Sequence, residues 1–443
     1  MASDRAARSH LACHVRHMGR RFGRCLQRDA ERFGMNSRQR MIRALNHEPV
    51  DRLPVDLGGT RQSGISVFAY QLLLDALGFE NTPCVFDVYQ MLAKIDDAVA
   101  QRFGSDTVLL NRPATAFGLS NARYKPFDLR GMKVMVPEAF DPIDDGQGGW
   151  QLQRDGKVIA LMPANSVYFD RLEAYPGALH PDLETWQAPQ VASTDWDTYA
   201  TQSKRLYEET DKAIIVAMGP PYELFNGIGQ GDFESWMITF ATEDAYVDQL
   251  YTLLVDRWIE NLQKLHDAVG DRVTVLQIAD DLGTQFAPFL STPMFREKLL
   301  PHYKRGLDWV HANTDWFVLM HTDGAIVPLL DSLIEMGVDA INPVQTTASG
   351  MQPDILKQRF GDRLVFWGGS CDCQGTLTNG SPGDVTSEVQ SNLDTFKPLD
   401  GGFVYTSVHN IQANVPPANI IALYDAAMHY SPKEPLCQSF RTI

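Results

Sequence analysis

Eight short apolar runs, most of them followed by segments with helical spacing, constrain this sequence more than any other feature. They lie at residues 52–59, 107–110, 213–218, 273–278, 317–320, 338–341, 364–367 and 403–405. Runs this short and this apolar are typical of strands buried on both faces. Helical patterns fill the later gaps, at 245–268, 294–312, 326–336 and 385–393. Strands alternating with helices imply right-handed βαβ units and a parallel sheet. Eight of them predict a closed α/β barrel of the (β/α)₈ type, and 443 residues accommodate one such barrel with insertions.

Three stretches stand outside this rhythm. Between 116 and 170, Gly, Pro, Asp and aromatics alternate with short β-like pieces such as Trp150-Gln-Leu-Gln. These pieces are too short and broken to bury a core of their own, so they predict a β-hairpin insertion in a barrel spanning 35–435. The polar stretch 181–199 reads as a surface connection. Residues 1–34 carry eight Arg against Asp4, Asp29 and Glu31, a net +5 in a chain of net −16, which leaves −21 on the remainder. This head is expected to be a flexible extension, with Ser37 as the N-cap of the first helix.

The acidic body argues against nucleic acid as a partner, because phosphate binding depends on Lys and Arg. No apolar stretch reaches the roughly eighteen residues of a membrane span, and no apolar signal core is present. Six scattered Cys, two of them only one residue apart, form no disulfide framework, so a reducing cytoplasm is the expected compartment.

In a barrel of this type the active site lies at the C-terminal ends of the strands. The polar residues just after each run are therefore the candidates: Arg61 and Gln62, Asn111, Tyr222 and Glu223, Asp280, Asp281 and Gln285, His321 and Asp323, Asn342 and Gln345, Cys371, Asp372 and Cys373, and His409, Asn410 and Gln412. Imidazole and thiolate suit zinc and a carboxylate can complete a tetrahedron, so His321, Asp323 and Cys371 are candidate metal ligands. The alternative is a hydrogen-bonded His, an Asp capping the helix that follows Gly324, and two buried Cys acting as small hydrophobes. Asp280, Asp281 and Glu223 are candidate acid or base groups, since one carboxyl of a close set can hold a raised pKa. Arg61, Tyr222, Gln285, Asn342, Gln345, His409 and Gln412 are candidate substrate contacts. Neither a Walker A sequence, a Gly-x-Gly-x-x-Gly after the first strand, nor a Gly-x-Ser-x-Gly elbow occurs.

A helix over 38–46 followed by Asp51-Arg-Leu-Pro-Val-Asp-Leu-Gly-Gly, Ala279-Asp-Asp-Leu-Gly-Thr-Gln, His321-Thr-Asp-Gly, Gly337-Val-Asp-Ala-Ile-Asn-Pro-Val-Gln345, Trp367-Gly-Gly-Ser-Cys-Asp and Val408-His-Asn-Ile-Gln412 resembles the uroporphyrinogen decarboxylase-like superfamily. The seven motifs fall in family order over residues 36–430 and imply a single (β/α)₈ barrel. Within that superfamily, decarboxylases are metal-free and use an Arg-rich segment with an Asp and a Tyr. Here the segment is Gly59-Thr-Arg-Gln-Ser-Gly64, with one Arg where the family has two, and Asp87 falls at the family Asp. Cobalamin-dependent methyltransferases carry a zinc motif of His-x-Cys with a distant Cys. This chain matches it at His321 and Cys371 and departs from it at Asp323.

The resemblance thus implies a methyltransferase that demethylates a small methylated, for instance methoxylated, compound with a bound zinc. Cobalamin would come on a separate corrinoid protein, because this sequence holds no Asp-x-His-x-x-Gly motif. The alternative it carries is a metal-free decarboxylase or lyase acting on a carboxylated substrate through Asp87 and Asp281. A homodimer is compatible with either.

Overall fold

A computed structural model describes residues 34–114, 116–172, 180–225 and 233–432. The Arg-rich head up to residue 33 lies outside the described residues. The framework is a seven-stranded parallel sheet: β1 (Thr107–Leu110), β2 (Ala213–Ala217), β3 (Val275–Ala279), β4 (Phe317–His321), β5 (Ala340–Asn342), β6 (Val365–Trp367) and β7 (Phe403–Val404), each paired with its neighbours in chain order.

The first apolar run closes the circle, but not as a strand of its own. Val55 forms a parallel bridge to Tyr405, with Tyr405 N donating to Pro54 O and Asp56 N to Tyr405 O. On its other side Asp106 N donates to Val55 O. The run contributes so little ladder because Pro54 has no N–H and because Val55 N is taken by the Asp106 carboxylate at 3.0 Å. The fold is thus a TIM-type α/β barrel, with seven of the eight expected runs as regular strands and the eighth as a one-residue seam.

Strand alternation sorts the side chains. Ala213, Ile215, Val275, Leu319, Ala340, Val365, Trp367 and Val404 fill the barrel interior, while Ile214, Val216, Leu276, Ile278, Val318, Met320 and Ile341 pack outward into the main core. Helix α1 (Ser37–Leu45) plugs the N-terminal end, sending Met41 and Leu45 into the interior cluster. Its N-cap is Asn36, not Ser37: Asn36 Oδ1 accepts from Gln39 N at 2.9 Å and Gln39 Oε1 accepts from Asn36 N at 3.2 Å, a reciprocal pairing that starts the helix one residue earlier.

The expected helix over 294–312 is two, Thr292–Lys298 and Leu300–Asn313, because Pro301 cannot donate the hydrogen bond that would join them. A helix also begins inside the expected surface connection, Ser193–Glu209, and buries Tyr199. The insertion is richer than one hairpin: Tyr124–Leu129 pairs with Met132–Pro137, and a four-stranded antiparallel sheet follows from Ile143–Asp144 to Asp170–Arg171. It builds no core of its own, since Leu129, Val136, Phe140, Leu152, Met162 and Phe169 join the main cluster. Among the described residues no helix is long and apolar enough to cross a membrane.

Candidate active site at the barrel mouth

The same alternation that fills the interior points His321, at the end of β4, and Asn342, at the end of β5, into the top of the barrel, where the two are register partners. Asn342 Nδ2 donates to Trp367 O at 2.9 Å, which fixes the amide with its oxygen toward His321. His321 Nδ1 therefore carries the proton and donates to Asn342 Oδ1 at 2.9 Å. Its Nε2 faces Asp281 Oδ1 at 3.8 Å and Asp323 Oδ2 at 3.9 Å.

His409, on the loop after β7, repeats the arrangement from the other side. Asn410 Nδ2 donates to Gln90 Oε1 at 3.2 Å and the Gln412 amide donates to Asn410, so Asn410 Oδ1 accepts from His409 Nδ1 at 2.8 Å. Burial, reinforced by His321, pushes the His409 pKa below its ordinary value and keeps the ring neutral. The two rings lie 5.6 Å apart between centroids. His321, Asp323 and His409 each offer a ligand atom within 4.8 Å of one another. Replacing Asn410 with alanine frees the His409 tautomer, and a metal ion held by these three groups would then be expected to bind roughly 10- to 100-fold more weakly, measured by competition with a chelator.

Glycine brings the two acidic loops this close. Gly324 has φ +91° and a Cβ there would lie 2.5 Å from the Gly283 backbone, so the loops carrying Asp281 and Asp323 touch where neither has a side chain. Asp281 Oδ1 accepts from Asp323 N at 3.1 Å. Gln345 and Gln285 hold this junction: Gln345 Oε1 accepts from Gly324 N, its amide donates to Gln285 Oε1 at 2.9 Å, and Gln285 Nε2 donates to Thr347 O. Their polar groups are thus engaged with one another and with backbone. Asp323 caps no helix, since the next helical turn starts only at Val327.

The remaining candidates separate by position. Asp280 is wholly buried and accepts from Phe225 N and Tyr303 OH, both at 2.8 Å, which makes it an anchor for the 222–225 loop. Glu223 on that loop is half-buried, and desolvation followed by the negative charges of Asp280 and Asp281 raises its pKa to about 8. Tyr222 is half-buried against the core. Arg61 Nε pairs with Asp87 Oδ2 at 2.6 Å, and Asp87 Oδ1 also accepts from Tyr89 N and Gln90 N. Gln277, inside the barrel, donates to Gln62 Oε1.

Cys371 is not in the His321 group. Its buried thiol lies 3.6 Å from Glu388 Oε2 and 3.9 Å from Asp372 O, and burial together with Glu388 holds its pKa far above the ordinary value. Cys373 instead lines a cleft of about 550 Å³ with Asp323, Gln345, His409 and Gln412. Sequence reading missed the pairings that matter most: Tyr303 with Asp280, Glu388 with Cys371, and Gln90 with Asn410. Each joins different elements, 17 to 320 residues apart, and only the position of Asn410 beside His409 was a local signal.

With this geometry in hand, comparison with known proteins is informative. The family model for uroporphyrinogen decarboxylase (URO-D) matches residues 179–430, more than half of the chain. No curated protein matches the sequence. Among solved structures the chain resembles a methyltransferase from Methanosarcina mazei, with a TM-score of 0.56 and 18% identity over 89% of this chain and 98% of the other. That likeness is one of fold. The barrel, its strand-end residues and the family match together establish that the chain belongs to the uroporphyrinogen decarboxylase (URO-D) family.

Proposed function

We propose that this chain is a methyltransferase that holds a zinc ion on His321, Asp323 and His409 and moves a methyl group between a small methylated compound, such as a methoxylated one, and a corrinoid protein or other acceptor. The observation that carries the reading is the pair of imidazoles with Nδ1–H tied to amide oxygens, together with one ligand atom from each ring and one from Asp323 lying within 4.8 Å of one another. Two imidazoles and a carboxylate form a donor set that fits zinc. When bound, the ion would supply Lewis acidity toward an ether or alkoxide oxygen, harder with Asp323 in the set than with the thiolate of the related motif.

The other groups have distinct tasks. Asp281 lies beside both His321 and the Asp323 backbone and sets the negative potential of the site. Glu223 holds a proton at neutral pH. As the methyl–oxygen bond breaks, the oxygen takes that proton and the methyl passes to the nucleophilic acceptor. Asp280 keeps the Glu223 loop in place through Phe225 N and Tyr303. The decarboxylase reading needs Asp87 for proton handling, and Asp87 is committed to Arg61 and to two backbone N–H groups. This favours methyl transfer.

Protein equilibrated with zinc and dialysed is expected to retain one zinc per chain. With cob(I)alamin as acceptor and methoxylated compounds as donors, methylcobalamin is expected to form and to stop forming after chelation, followed by its visible spectrum. A wild-type protein that retains no zinc and turns over a carboxylated substrate after exhaustive chelation overturns the reading in favour of the decarboxylase.

A further inference from the structure

The cleft of about 550 Å³ shares Asp323 and His409 with the metal-competent group, so that group stands in the cleft wall. Buried Leu377, Val408, Ile411 and Val415 supply its apolar part. Three more lining residues, Thr378, Asn379 and Gln412, supply polar groups whose direction the chain itself fixes.

The three spend donors on backbone carbonyls. Thr378 Oγ1 donates to Cys373 O at 2.7 Å and Asn379 Nδ2 to Gln374 O at 3.1 Å. Gln412 Nε2 donates to Asn410 O at 3.2 Å and also to Asn410 Oδ1. A backbone carbonyl only accepts, so neither amide can be turned round. What is left for a ligand is three acceptor oxygens, Asn379 Oδ1, Gln412 Oε1 and Thr378 Oγ1, with one N–H of Asn379. The charge of the cleft is equally one-sided. Among the described residues that line it none is Lys or Arg, and Asp323 is the one carboxylate. A zinc dication held there would be balanced by Asp323 and by Asp281, which lies 3.8 Å from His321 Nε2, so the loaded site would hold no surplus positive charge for an acid.

We propose that this cleft selects a neutral, hydroxyl-rich methyl ether, a methylated sugar or polyol, whose hydroxyls donate to Thr378, Asn379 and Gln412. A hydroxyl donates and accepts, as this mixture of groups requires. A carboxylate only accepts, so it would leave the three oxygens unmatched and set its charge near Asp323; an ammonium only donates and would meet the metal's charge. Delivery of the methyl to the metal rests on the methyl-transfer reading, whereas the preference for a neutral hydroxylated ligand rests on the cleft alone.

The test uses a matched set on one ring: a methyl glucoside, the methyl glucuronide and the methyl aminoglucoside, which carry hydroxyl, carboxylate or ammonium on the same terminal carbon. An O-methylinositol represents the polyols. Each is titrated calorimetrically into wild type, Thr378→Val and Asn379→Lys, with and without zinc, and melting curves confirm folding. The glucoside or the inositol ether is expected to bind about 10-fold or more tightly than either charged sugar, with or without zinc, and the tighter of the two identifies the source. Thr378→Val is expected to weaken that ligand about 3- to 10-fold. Asn379 is exposed, so Asn379→Lys leaves the packing intact and is expected to swing the ratio of glucuronide to glucoside affinity about 10-fold or more toward the acid. Such a swing is not a consequence of misfolding. The proposal is overturned if the glucuronide or the aminoglucoside binds wild type as tightly as the hydroxyl form, if no member of the set binds in the millimolar range, or if Asn379→Lys leaves the ratio unchanged. Zinc-dependent methylcobalamin formation from a methoxybenzoate and from none of the hydroxylated ethers would sink this proposal and leave methyl transfer standing. A hydroxyl preference in a protein that retains no zinc and forms no methylcobalamin would do the reverse.

Discussion

If the proposed zinc is bound, His409→Ala is expected to lose it on dialysis and Cys371→Ala to keep it, with methyl transfer following the metal in both. Among the described residues, His409 supplies one of the three ligand atoms gathered within 4.8 Å of one another, and its Nδ1 is engaged by Asn410 Oδ1. Removing a ligand outright is expected to cost more than the roughly 10- to 100-fold that follows loss of a ligand's hydrogen-bond partner. The Cys371 thiol is turned toward Glu388 and kept protonated by burial and by that carboxylate, so its removal costs packing and not a ligand. Elemental analysis of the two variants, with melting curves to confirm folding, decides the matter. The reverse pattern, metal kept by His409→Ala and lost by Cys371→Ala, would return the ligand role to the cysteine named from sequence.

Glu223→Gln is the second large effect, expected to slow methyl transfer on the order of 10²–10⁴-fold. Glutamine keeps the shape and the neutrality of the protonated acid and lacks its acidic proton. The carboxyl titrates near 8 in the metal-free protein and lower beside a bound dication, so the activity of zinc-loaded wild type is expected to fall as pH rises through a value below 8, and the variant to show no such limb. Stability has its own sign. The folded pKa lies above that of the unfolded chain, so the contribution is fully present below the ordinary carboxylate range and is lost as pH rises toward about 8. Denaturation midpoints at pH 5 and pH 9 should therefore diverge in wild type and converge in Glu223→Gln. Equal pH dependence in the two proteins removes Glu223 as the titrating group.

The strands and the face of the barrel were legible because burial on both faces leaves an apolar signature that tertiary structure does not rewrite. The division of labour among the strand-end residues was not. Asp280 and Asp281 are adjacent and chemically alike, and only the position of Tyr303 on a distant helix reveals that the first is an anchor. Gln285 and Gln345 look like substrate contacts until they are seen to hold each other. His321 and Asp323 converge as their spacing in an extended segment requires, but the third group depends on how the loop after β7 folds over, and that path is set by Asn410 and Gln90.

The seam at Val55 has a consequence for how the chain is assembled. All other barrel pairs join strands that follow one another, whereas Val55 must meet Tyr405, about 350 residues later. During synthesis the first barrel segment emerges early and waits for nearly the last. Until then Met41 and Leu45 have no closed interior to enter. Asp106 shortens the wait: wholly buried, it takes Arg40 at 2.7 Å and Arg52 at 2.7 Å and the backbone of Val55 at 3.0 Å, mooring the first segment to the second before the ring is complete. The chain therefore carries its own early tether for the most distant contact in the barrel.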